Sequence, residues 1–260
     1  MMAARIDLNS DMGESFGAWT MGHDESVLPY ITSANVACGF HAGDPRVMAR
    51  TVRLAKSHGV SVGAHPAFPD LVGFGRRNLA VTPEEAHTDV LYQIGALHAF
   101  CRAENIPLAH VKPHGQLNNL AVTDASLADA ILDAIELYDR QLILIAYGGE
   151  LLARGRARGL TVAQEVYVDR AYLPDGRLAP RSLPGAVIQD PSVAARRAVE
   201  MVLQHRVPTL DGQWLTVTPD TICIHGDNPG AVELARAVRR ALDAAGVEVL
   251  PLGHWLRTHT

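Results

Sequence analysis

The chain has 260 residues, with 23 Lys and Arg against 28 Asp and Glu and a formal net charge of −5. Its 48% hydrophobic content supplies a core and excludes bulk disorder, and its mild acidity argues against a dedicated nucleic-acid binder. No run approaches the roughly 18 apolar residues of a membrane span; LILIA, residues 142–146, is about the longest.

The N-terminus lacks the apolar region of a signal peptide, roughly 7–15 residues long. Cys38, Cys101 and Cys223 are odd in number and form no CxxC pair, so neither a disulfide framework nor a zinc ribbon is indicated. Both features lead us to expect a cytoplasmic protein.

The first predicted strand, residues 5–8, runs into DLNSDMGES, where Asp7, Asn9 and Asp11 alternate on one face and Glu14 follows. The second, 33–37, leads into NVACGFHAGD with Asn35, His41 and Asp44. Asp44-Pro45 then caps a helix over 45–58 that Gly59 stops. The third, 60–63, ends in GAHPAFPD with His65 and Asp70, and Thr82-Pro83 opens a helix over 83–103. The fourth, 109–112, lies in AHVKPHGQLNN. It aligns His110, Lys112 and His114, then Asn118 and Asn119, and precedes a helix over 126–138. The fifth, 141–146, is followed by GGE and Glu150. The sixth, 160–164, leads into QEVYVDRAY with Glu165, Asp169 and Arg170, and Asp190-Pro191 opens a helix over 191–204. The seventh, 221–224, ends in ICIHGDNPG with His225 and Asp227, before a helix over 229–244 that Gly246 stops.

Strands alternating with helices fit an open doubly wound sheet or a closed barrel. Nearly every strand hands over to polar residues beside Gly or Pro. A barrel, which draws its site from many strand ends, explains this better than a sheet with one switch point. No composition break divides the chain, so residues 1–260 read as one barrel domain with 251–260 as a tail.

Only Lys56 and Lys112 are lysines, while histidines number 12. A lone loop histidine is ordinarily a surface or hydrogen-bonded residue. Four at strand exits (His41, His65, His114 and His225) are a different matter as a set. His23, His58, His87, His98, His205, His254 and His259 are background, and His110 is a candidate to fill the barrel interior. Cys38 and Cys223 read as packing residues, ahead of a nucleophilic Cys38 beside His41. Asp11 and the four histidines have donors suited to a divalent ion, yet no HxH occurs, and metal-free proton transfer by the same groups is equally allowed. No GxxxxGK[ST] loop is present, and GFGRR is not GxGxxG.

The segments RIDLNSDMGES, ITSANVACGFHAGDP, GAHPAFPDLVGFGRR, YQIGAL, HVKPHGQL, EVYVDRAYLPDGRLAPRS and ICIHGD together resemble the LamB/YcsF family, in order from residue 6 to about 250. The resemblance implies a single (β/α)7-type barrel related to polysaccharide deacetylases. It also implies ATP-dependent opening of the 5-oxo-L-proline lactam to L-glutamate, together with two further subunits and with Mg2+ accompanying ATP. Asp11, Glu14, His41, His65, Lys112, His114, Glu165, Asp169, Arg170, His225 and Asp227 match its motif positions. One departure stands out: Asn118 occupies a position where lactam-opening members typically have Tyr, and Gln116 replaces a small or apolar residue. Loss of that hydroxyl keeps a different cyclic amide open as substrate.

On this reading Asp11 or Glu14, with His41, His65 or His114, activates water. Lys112 or Arg170 meets anionic oxygen, and Asp227 joins the catalytic set. Arg170, with Arg181 in reserve, is the candidate for a substrate carboxylate, and Asn9, Glu165, Asp169 and His225 also face the substrate. Asp11, His41 and His65 are the candidate metal ligands. Two rivals are a metal-dependent cyclic-amide or deacetylase-type hydrolase and a non-catalytic substrate-binding component of a partner enzyme. A homo-oligomer is compatible with each.

Overall fold

The computed structural model describes residues 3–225 and 230–256. In chain order the elements are β1 (Arg5–Met12), α1 (Asp24–Val27), β2 (Ser33–Ala37), α2 (Pro45–Ser57), β3 (Ser61–His65), α3 (Pro83–Ala103), β4 (Leu108–Val111), α4 (Gly115–Ala121), α5 (Ala125–Tyr138), β5 (Ile143–Ala146), α6 (Gly149–Ala157), β6 (Val162–Tyr167), α7 (Pro191–Gln204), β7 (Arg206–Pro208), β8 (Trp214–Thr216), β9 (Thr221–Cys223), α8 (Ala231–Ala244) and β10 (Glu248–Val249).

Six strands run parallel in the order β1-β2-β3-β4-β5-β6, and β9 pairs with both β6 and β1. Through Asp7 opposite Thr221, that last pairing closes a seven-stranded barrel and excludes the open sheet. β10 adds a short parallel pairing to the start of β1, and β7 and β8 form a separate antiparallel hairpin.

The helices start where side chains satisfy their free N–H groups. Asp44, Asp124 and Asp190 accept from backbone amides in the first turns of α2, α5 and α7. At α3, Thr82 and Glu85 form a reciprocal capping box ahead of Pro83. Gly59 and Gly246 follow α2 and α8 with φ of 66° and 74°, the left-handed geometry glycine adopts without strain.

Alternation divides β1 between two environments. Ile6, Leu8 and Met12 join the apolar layer between barrel and helices, while Asp7, Asn9 and Asp11 take the opposite face, inside the barrel. β1 therefore runs four residues past the predicted 5–8, because its polar inward residues look like a strand end in sequence. On β5, Leu144 and Ala146 pack outward, whereas Ile143 and Ile145 form a second apolar cluster with Ala163 and Leu252. His110 fills the interior as expected. It contacts Asn35 at 2.8 Å and lies so close to Gly63 that a Cβ there would meet its ring at 2.1 Å.

Candidate active site

The C-terminal ends of β1, β3, β4, β6 and β9 converge on a cavity of about 430 Å³. Its floor is built around Lys112, the residue after β4. Lys112 Nζ lies 2.8 Å from Asp11 Oδ1 and 2.8 Å from Glu165 Oε1, with Asn9 Oδ1 and Cys223 Sγ each at 3.2 Å. Burial opposes charge on this ammonium, but Asp11, Cys223 and Glu165 outweigh it and hold the pKa well above that of a free lysine. Lys112 is therefore a fixed cation rather than a base. Asp11 shows the counterpart: burial favours the neutral acid, yet His65 and Lys112 hold its carboxyl well below the usual range. Asn35 also donates to Asp11 Oδ1 at 2.8 Å.

Beside this ion pair, His65 ends β3, His114 precedes α4, His41 follows β2 and Glu14 follows β1. His65 Nδ1 donates to the Lys112 carbonyl at 2.6 Å, and His114 Nε2 donates to the Phe74 carbonyl at 2.9 Å. His65 Nε2 and His114 Nδ1 then face each other at 3.0 Å, with Asp11 Oδ2 3.4 Å from His65 Nε2. His41 Nε2 meets Glu14 Oε1 at 3.1 Å, and its ring stacks on that of His114 at 3.8 Å. Burial, then neighbouring histidines, push the pKa of both His41 and His114 well down, so both rings are neutral. Glu14, His41, His65 and His114 thus form a cluster with the donor set to hold a metal ion.

Close to Asp11 a second pair has the opposite character. His225 Nδ1 lies 2.7 Å from Asp169 Oδ2. Burial opposes charge on the imidazole, but Asp169 raises its pKa, and His225 in turn lowers that of Asp169 despite burial. His225 is thus more readily protonated than His41 or His114. The rim is cationic, with Arg76, Arg170, Arg177 and Arg181 lining the opening together with Tyr147 and Asn118. Arg170 is mostly buried and donates to the Ala179 carbonyl at 2.6 Å, while its Nε has no hydrogen-bond partner among the described residues.

Of the residues singled out in the sequence, Asn9, Asp11, Glu14, His41, His65, Lys112, His114, Glu165, Asp169, Arg170, Arg181 and His225 all lie at or under this cavity; Asp227 lies outside the described residues. Three motif acids serve the scaffold instead. Asp44 caps α2, Asp70 binds Gly73 N and the Arg77 guanidinium within its own loop, and Glu150 pairs with Arg154 on α6. Cys38 is a packing residue, its thiol pushed up to about 12 by burial. Sequence reasoning misses Tyr167, whose hydroxyl donates to Glu165 Oε2 at 2.5 Å beneath Lys112. Its i+2 spacing from Glu165 on β6 is the available signal. It misses Arg76 and Arg177 too, because basic loop residues carry no such periodicity.

Residues 6–257 match the profile of the LamB/YcsF family. The A subunit of a 5-oxoprolinase from Thermococcus onnurineus is 54% identical over 254 residues, covering 97% of this chain and 100% of the relative. Its counterpart from Thermus thermophilus is 56% identical over 246 residues, covering 94% and 98%. The crystal structure of a lactam utilization protein, also from Thermus thermophilus, superposes with a TM-score of 0.90 at 55% identity, covering 95% of this chain and 99% of that one. A T48 deacetylase structure, with a TM-score of 0.51 at 13% identity over 96% of this chain and 89% of the other, shares the barrel fold.

Proposed function

From the premise that the chain belongs to the LamB/YcsF family, we propose that it is the A subunit of an ATP-dependent 5-oxoprolinase, opening the lactam of 5-oxo-L-proline to L-glutamate together with two further subunits. One observation carries the reading. A small cavity joins an ionised, buried carboxylate beside neutral imidazoles at its floor to arginines in its lining and a histidine whose pKa is raised by a paired aspartate. A lactam that bears a carboxylate requires those functions: a cation for the carboxylate, an acceptor for the water proton and a donor for the departing nitrogen.

Arg170, with Arg181 beside it, holds the substrate carboxylate, for which a guanidinium offers paired donors. Asp11 accepts the proton of attacking water. His225, whose pKa Asp169 raises, donates to the ring nitrogen as the amide bond breaks. Lys112 keeps Asp11 ionised and in place, and Glu165 with Tyr167 holds Lys112 from the other side. A five-membered lactam is a stabilised amide with little strain, so phosphorylation of the carbonyl oxygen by ATP, with Mg2+ and with ADP leaving, supplies the missing electrophilicity; phosphate departs when the acyl phosphate left by ring opening is hydrolysed. Arg76 and Arg177 at the rim match a phosphorylated intermediate in charge.

The test is glutamate release from 5-oxoproline by the reconstituted complex. Release requires ATP and all three subunits, and Asp11→Asn lowers turnover by about 10²-fold or more. Undiminished turnover with Asp11→Asn, in a complex that still needs this chain, replaces the catalytic role with one of substrate binding alone.

A further inference from the structure

Two backbone carbonyls fix how the histidines beside Asp11 are turned. A backbone carbonyl only accepts, so His65 Nδ1 and His114 Nε2 must each carry a proton to make their bonds to Lys112 O and Phe74 O. Each ring therefore turns its other nitrogen, His65 Nε2 and His114 Nδ1, toward the cluster. Those two nitrogens face each other at 3.0 Å, with carboxylate oxygens of Asp11 and Glu14 at 3.4 and 3.8 Å. Two ring nitrogens and a Glu14 oxygen, with His41 Nε2 beside them, thus gather in one buried pocket.

We infer that Glu14, His41, His65 and His114 bind a divalent transition cation of the Zn2+ type. Three imidazoles and one carboxylate suit zinc and its neighbours better than Mg2+ or Ca2+, which favour oxygen ligands. Metal–nitrogen bonds of about 2.0–2.1 Å in a tetrahedron imply ligand separations near 3.3 Å. The separations here are 3.0 Å for His65–His114, 3.1 Å for His41–Glu14 and 3.8 Å for His114–Glu14. The carbonyl contacts are a second, independent sign, since metal-bound histidines characteristically donate their other ring N–H to a carbonyl or carboxylate. His65 and His114 do so, whereas His41 Nδ1 makes no hydrogen bond among the described residues, which makes His41 the weakest ligand.

A rival cluster of Asp11, Cys223 and His225 has comparable donors. Lys112 Nζ already contacts Asp11 and Cys223 there, and a fixed ammonium keeps a second cation out. Glu14 therefore replaces Asp11 in the ligand set that sequence alone suggested, and Asp11, paired with Lys112, stays outside it. Glu14, His65 and His114 also line the cavity, so a bound ion there is reachable by a ligand and supplies Lewis acidity to it. The inference rests on ring nitrogens rather than on the lactam reading, and either can fail without the other.

The experiment uses the full-length chain purified without chelator or affinity metal. Elemental analysis is expected to find near-stoichiometric zinc. EDTA-treated protein is expected to regain melting temperature with Zn2+ but not Mg2+, and to develop tetrahedral visible absorption with Co2+. His65→Gln and His114→Gln weaken Zn2+ binding by about 10²-fold or more, since loss of an outer partner alone costs ~10–100-fold. Exposed His58→Gln does not weaken it. Substoichiometric zinc, no Co2+ spectrum and no melting shift in the wild-type chain overturn the inference. The wild-type readouts decide the matter even if the glutamine variants fail to fold.

Discussion

Lys112 Nζ lies 2.8 Å from both Asp11 and Glu165, with the lysine and Glu165 side chains almost wholly out of solvent. Removing one partner from such a group costs more than the pair itself contributes, because the remaining charge stays buried without compensation. Lys112→Met strands two carboxylates side by side, and we expect a loss of about 3–5 kcal/mol at pH 7. The sign of its pH dependence distinguishes this from lost packing. Without the ammonium, burial and mutual repulsion raise the folded-state carboxyl pKa values. The folded variant then takes up protons before the unfolded chain does, and its deficit shrinks as pH falls. Urea unfolding of both proteins at pH 7 and pH 5 measures it. An equal deficit at the two pH values would show that the ammonium matters only as volume.

At the scale of elements, the helices carry their own start signals and the strands do not. Thr82 Oγ1 accepts from Glu85 N while Glu85 accepts from Thr82 N, and α3 is the longest helix in the described structure. Thr82→Ala should lower stability by about 1 kcal/mol, with Thr82→Ser retaining most of it; thermal unfolding compared with wild type reads both. Such caps make α3 and α7 readable in sequence to their observed ends. Helices α4 and α6 are not foreseeable in that way, because their caps, His114 and Gly148, offer no side-chain hydrogen bond and the helices are short. Strand β1 reads four residues short for the reason that matters to function, since its last inward residue is the site's Asp11. The alternation of Asp7, Asn9 and Asp11 can place them on one face. It cannot say that this face is the inside of a barrel, which only the distant pairing of β1 with β9 decides. The histidines at strand exits are identifiable for the same local reason as the caps. Their two carbonyl partners, Lys112 and Phe74, are not, because those contacts depend on how loops from different strands meet.

At the scale of the whole molecule, closure buries two titratable groups of opposite type within the barrel, and their pH dependences oppose each other. Burial raises the Asp7 carboxyl to about 6, against the hydroxyl donors Ser33, Thr221 and Thr32. A raised carboxyl means the folded state holds a proton that the unfolded chain has released. Asp7 therefore disfavours folding increasingly as pH rises from 3.8 to about 6, and by a constant amount above that. His110 is lowered to about 3, chiefly by burial and then by Lys112. Its contribution is fully present above pH 6.5 and is lost as pH falls toward 3, because the unfolded chain binds the proton that the folded interior refuses. Between pH 4 and 6 the two groups change stability in opposite directions, each by up to about 1.4 kcal/mol per pH unit. The Asp7→Asn variant removes one side of this balance. Over that window its unfolding free energy should climb with pH more steeply than that of wild type by about 1.4 kcal/mol per unit. The slope, unlike the absolute stability, is insensitive to any hydrogen bond the asparagine fails to make to Ser33, Thr32 or Thr221. Guanidinium unfolding at half-unit steps from pH 4 to 6.5 measures it for both proteins, and parallel profiles would mean that Asp7 stays ionised inside the barrel.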